Sequence, residues 1–132
     1  MKEIEMKFSD SEVEALFEIG RFYYILGYFV PAARIFSGLQ HIDEGLVPTF
    51  VALGLLKLEG GLYAEASVYF RESISRNLFI NEAKIGLAAS YIGMGESSRA
   101  HSVLTQMKKD IVINNVSTEF LRLWESLVIR VS

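Results

Sequence analysis

The chain has 132 residues, no cysteine, 13 basic against 16 acidic side chains, and a hydrophobic fraction of 51%. This length suits one domain with its own core. The lack of cysteine excludes disulfides and thiolate metal sites and fits a reducing compartment. A net charge of -3 with interspersed signs offers no basic stripe for nucleic acid, and no uncharged run exceeds twelve residues (Phe22–Ala33 is one), well short of the ~20 apolar residues of a membrane span.

The N-terminal stretch MKEIEMKFSDSEVEALF is charged throughout and lacks the apolar core of a signal peptide. The first predicted helix covers about 11–26, with Ser11 and Glu14 as its capping box. A second covers about 29–41, with Pro31 in its first turn, where a missing N–H costs little. Helices at about 47–59 and 62–76 follow, then 81–93 and 96–109, with Asn81 as the cap of the fifth. Lys108 and Lys109 close the sixth, where positive charge suits the helix dipole. A seventh is expected at about 117–130, STEFLRLWESLVIR, where Phe120, Leu123, Trp124, Leu127 and Val128 recur at helical spacing.

Five columns of residues repeat at a shift of 34: Gly27, Gly61, Gly95; Ala32, Ala66, Ala100; Phe36, Phe70, Leu104; Gly20, Gly54, Ala88; and Ile19, Leu53, Leu87. Period and order are those of the tetratricopeptide repeat, a helix-turn-helix unit. The small residues let the two helices of a unit approach, the large ones fill the space beside them, and the turn glycines end the first helix. The fold expected is all-α: a right-handed solenoid of three such repeats plus a C-terminal helix, which covers the last apolar face. It forms one domain over 1–132, with units at about 13–46, 47–80 and 81–114. In that frame Tyr23, Phe29 and Phe36 read as repeat core, while Tyr24 does not.

The first helix of each unit lines the concave side of a solenoid, where partners bind. The register places Phe17, Arg21 and Tyr24 there from unit one, Val51, Leu55 and Leu58 from unit two, and Ile85, Ala89 and Ile92 from unit three. Adaptors that clamp a peptide carboxylate need Lys, Arg and Asn on this face, so this surface instead suits an apolar segment of another protein. The competing occupants are the C-terminal helix and the same face of a second copy. His41, with Asp43 and Glu44 nearby, is a weak metal candidate, and His101 reads as a surface residue. GMGESS at 93–98 lacks the lysine of a phosphate loop. No paired-carboxylate or nucleophile arrangement is present, so neither an enzyme, a cofactor nor a metal is expected.

Beyond the repeat, the chain resembles the tetratricopeptide-type chaperones of bacterial type III secretion systems, the translocator-chaperone class above all. The residues that carry the likeness are Leu16-Phe17, Tyr24, Gly27, the run Ile35-Phe36-x-x-Leu39-x-x-x-Asp43, Phe50-x-x-Leu53-Gly54 and Gly61-x-Tyr63-x-x-Ala66, within about residues 13–107. The resemblance implies a non-enzymatic, cytoplasmic bacterial protein associated with virulence. It would hold an aggregation-prone secreted client in its groove until export, with Phe17 and Tyr24 as groove aromatics. A translocator, a needle subunit or an early export component would fit as client, and a homodimer is a further expected state. The different-class alternative is a scaffold or adaptor that self-associates and serves no secretion client.

Overall fold

The computed structural model describes residues 7–107. Among them the regular elements are six α-helices: α1 (Asp10–Ile25), α2 (Phe29–Gln40), α3 (Thr49–Glu59), α4 (Tyr63–Ser75), α5 (Ile80–Gly93) and α6 (Ser97–Met107). The expected helix at 117–130 and the end of unit three lie outside the described residues. The helices pair within units as α1 with α2, α3 with α4 and α5 with α6, and the units stack through α2 on α3 and α4 on α5.

The turn glycines act as their spacing requires. Gly27, Gly61 and Gly95 have φ of +83°, +73° and +77°, and a Cβ on any of them would meet nothing within 4 Å. Their role is therefore conformational and not spatial. Each turn is closed by the same pair of backbone bonds; after α1 these run from Gly27 N–H to Tyr24 and from Tyr28 N–H to Tyr23.

Close approach explains the other small residues. A Cβ on Gly20 would stand 2.7 Å from the Phe36 ring, and one on Gly54 would stand 2.6 Å from the Phe70 ring. Gly86, on α5, meets the same Phe70 ring, at 2.2 Å from a built Cβ. Phe70 is thus gripped between units two and three by two glycines. Around it lies a core of Val51, Ala66, Ala83, Ile85, Leu87, Tyr91, Leu104 and Met107. A second core holds Val13, Phe17, Ala32, Phe36, Leu39, Ala52 and Leu53, joining units one and two.

Two predicted caps are corrected. The N-cap of α1 is Ser9, with Glu12 as the reciprocal partner, and not Ser11 with Glu14. Both pairs have the same spacing, but the earlier start puts Phe8 before the cap and Val13 four residues after it, and both join the same apolar cluster. The Ser9 N–H bonded to the Glu12 carboxylate holds that group below its usual range. Asn81 lies inside the first turn of α5, whose N-cap is Phe79 at φ +47°. Phe79 packs partly buried against the larger core, and this contact holds an aromatic residue in a conformation that costs about 1–2 kcal/mol.

The α2–α3 connection is built around Asp43. Its carboxylate accepts from Leu46 N–H at 2.8 Å, Gly45 N–H at 3.2 Å and Thr49 Oγ1 at 2.7 Å. Those oxygens organise a loop, and among the described residues no group of acidic and histidine side chains is arranged to hold a metal.

Candidate functional site

The nine residues expected on the concave face divide by depth. Val51 and Ile85 are 1% and 0% exposed and form part of the larger core. Phe17 is also buried, its ring 5.4 Å from Phe36 in the smaller core. Leu55, Leu58, Ala89 and Ile92 lie half-buried over the Val51 and Ile85 cluster. Tyr24 is half-buried at the edge of the smaller core, and Arg21 pairs with Glu18 at 3.5 Å. Leu55, Leu58, Ala89 and Ile92, on α3 and α5, are therefore the apolar residues of this set that stay partly accessible over the cluster that holds the buried Val51 and Ile85. Tyr24 stands on α1 and reaches α3 through a polar contact.

That contact is with a residue the sequence did not single out. The Tyr24 hydroxyl donates to Glu59 Oε1 at 2.8 Å, linking the first helices of units one and two. Burial, then the Glu59 bond and charge, push the Tyr24 pKa well above its ordinary value, so the hydroxyl stays a donor at any physiological pH. The Tyr24 ring also meets Phe29 at 5.6 Å. Phe29 is 39% exposed and belongs to this notch, which corrects its reading as plain repeat core. Phe36 is buried and Tyr23 half-buried, as expected of core residues. The available signal for Glu59 is its column, Ile25, Glu59 and Gly93, one residue beyond the inner-face column of Tyr24, Leu58 and Ile92.

A second surface lies on the outer side of α1. Leu53 and Leu87 are 5% and 7% exposed because a preceding unit covers them, whereas Ile19, in the same column, is 48% exposed. Phe22 is 61% exposed, while its equivalents Leu56 and Ser90 pack against the cluster or are buried. Ile25, Leu26, Tyr28 and Val30 extend this exposed apolar surface around the first turn. It corresponds to the face through which the later units stack, and among the described residues no unit covers it.

Elsewhere, a cavity of about 300 Å³ lies beside the α2–α3 connection, lined by Pro48, Phe50, Ser73, Arg76 and Phe79 among others. Arg76 sits over the Phe50 ring at 4.9 Å and pairs with Glu72. His41 is exposed on the rim of neighbouring hollows, and the Asp43 carboxylate beside it is already engaged. No helix among the described residues is long and apolar enough to cross a membrane.

No family model matches the sequence, and no curated protein matches it. Among solved structures, PcrH from Pseudomonas aeruginosa is similar over 94% of this chain and 94% of its own, with a TM-score of 0.76 and 20% identity. At that identity the likeness establishes the fold, a helical repeat of the kind expected from the 34-residue columns.

Proposed function

We propose that the protein is a non-enzymatic chaperone of a type III secretion system, acting in the bacterial cytoplasm. The observation that carries the proposal is the apolar row of Leu55, Leu58, Ala89 and Ile92, open over a buried floor. It occurs in a fold shared with PcrH, in a chain whose sequence resembles the tetratricopeptide-type chaperones of type III secretion systems. Such a row can hold an extended apolar segment of a secreted client through alternate side chains, shielding it from aggregation until export. The residues assigned to the groove are those predicted from the register. Arg21, Tyr24, Leu55, Leu58, Ala89 and Ile92 contact the client, and Phe17, Val51 and Ile85 support them from below.

The test is native mass spectrometry of the tagged protein drawn from its own cell. The expected result is a complex with one small secreted protein at defined stoichiometry. That complex is lost in a Leu55→Glu variant whose helical circular dichroism is unchanged. A folded variant that holds the same client as well as the parent overturns the groove assignment.

The same proposal assigns homodimerisation to the outer face of α1. Six half-exposed side chains, from Ile19 to Val30, offer on the order of 600 Å² per copy at about 100 Å² each. That approaches the ~800 Å² per partner of a standard interface. Two copies meeting through this face about a two-fold axis would cover both exposed apolar surfaces in a closed arrangement.

A further inference from the structure

On α3 and α5 the inner row is apolar, and two charged residues border it, Arg21 on α1, which pairs with Glu18, and Glu59. Glu59 stands one helical turn beyond Leu55 on α3, so the two side chains share a face, and the Glu59 carboxylate is exposed. It is the last residue of α3, where the negative end of the helix dipole disfavours an acid. Glu18, Glu65, Glu72 and Glu96 each pair with a cation. Glu59 instead accepts from a neutral hydroxyl, that of Tyr24. One bond leaves most of a carboxylate's acceptor capacity unused. Beside it stands Tyr24, whose ring in turn meets that of Phe29 at 5.6 Å between centroids. A carboxylate with a neighbouring aromatic ring is the chemistry that holds a cationic side chain, through a charge-assisted hydrogen bond supplemented by cation–π attraction.

We propose that Glu59 sets the charge specificity of the groove: the segment received there carries a Lys or Arg, which Glu59 holds while its apolar side chains lie on Leu55, Leu58 and Ile92. The spacing follows from geometry. One helical turn separates Leu55 from Glu59, about 5–6 Å, and residues two apart on an extended strand are ~6.6 Å apart on the same side. The recognised pattern is therefore an apolar residue followed or preceded, two positions away, by Lys or Arg. This inference rests on the groove reading above and adds to it the sign and place of a charge.

The experiment pans a random library of displayed twelve-residue peptides against the full chain and against its Glu59→Gln variant. The glutamine keeps an acceptor for Tyr24 and removes the charge. The parent is expected to enrich peptides with an apolar residue and a Lys or Arg two positions apart. The variant is expected to enrich apolar peptides without that basic residue. A peptide selected on the parent should bind the variant roughly tenfold more weakly, the scale of one charge-assisted hydrogen bond. Replacing its basic residue with norleucine should cost the parent as much and the variant little. Apolar peptides enriched on both proteins with no basic preference overturn the role of Glu59 and leave the groove standing. Failure of both folded proteins to enrich apolar peptides overturns the groove and this inference together.

Discussion

The Tyr24 hydroxyl and the Glu59 carboxylate meet at 2.8 Å across 35 residues of chain, and their bond joins the first helices of two successive units at the edge of the inner face. A groove wall that would otherwise be held by apolar contact alone thus has one directional restraint.

Tyr24→Phe should lower stability by about 1 kcal/mol, the usual net worth of one such hydrogen bond, read from urea midpoints at pH 7. The pH dependence has a definite sign. Folding raises the Tyr24 pKa, so its contribution is complete below the unfolded value of ~10 and declines as pH climbs beyond it. The gap between parent and variant should therefore shrink in titrations at pH 10 to 11. A gap that widens there contradicts the assignment.

Gly86→Ala puts two magnitudes in opposition. Alanine in a helix interior gains up to about 1 kcal/mol over glycine. A Cβ here would stand 2.2 Å from the Phe70 ring, and overpacking of this kind costs roughly 1–3 kcal/mol. The clash should win, giving a net loss on equilibrium unfolding. Pairing the change with Phe70→Leu should show a favourable coupling in a double-mutant cycle, because the smaller side chain makes room for the methyl.

At the turns, strain acts without crowding. Gly61→Ala should cost about 1–2 kcal/mol from its left-handed backbone alone, although nothing lies within 4 Å of the new methyl. Asn77 occupies the same kind of position at φ +60°, and asparagine tolerates it. Asn77→Gly should accordingly shift the melting temperature little. A large loss there would mean that the asparagine side chain itself matters.

Asp43→Ala should destabilise by about 1.5–3 kcal/mol, as expected when backbone N–H groups lose a charged acceptor. His41→Ala should leave the urea midpoint unchanged and the helical circular dichroism intact, since His41 is exposed and Asp43 is engaged by its own loop. Binding of zinc to the parent and not to the His41 variant would overturn this purely structural account of the connection.

Phe22→Glu should leave the monomer folded, because Phe22 is 61% exposed. If α1 pairs with a second copy, sedimentation equilibrium will show the parent as a dimer and the variant as a monomer. A parent that remains monomeric at high micromolar concentration removes the dimer proposal without touching the groove.

The architecture was legible in the sequence because each repeat enforces its constraints locally. Left-handed turns admit glycine at 27, 61 and 95, and close helix pairs admit small residues opposite Phe36 and Phe70; these demands recur every 34 residues and print a period. Helix ends as far as the start of α6 were legible to within about two residues, the end expected at 109 lying outside the described residues. The choice of Ser9 over Ser11 was not, because two equivalent capping boxes differ only in which one brings Phe8 and Val13 into the core. Depth on the inner face was likewise decided in three dimensions: Val51 and Leu55 belong to the same helix and are both aliphatic, yet one is floor and the other surface. The exposure of Ile19 differs from that of Leu53 and Leu87 because no described unit packs on it, which its column conceals. The Tyr24–Glu59 bond also lies beyond any pattern of spacing, since it needs two side chains of different units to arrive at one point. The sequence by itself determined the repeat, its turns and the apolar character of its inner face. Only the tertiary structure decided which of those apolar residues remain accessible and where Glu59 stands beside them, because burial and long-range contact depend on what the neighbouring unit supplies.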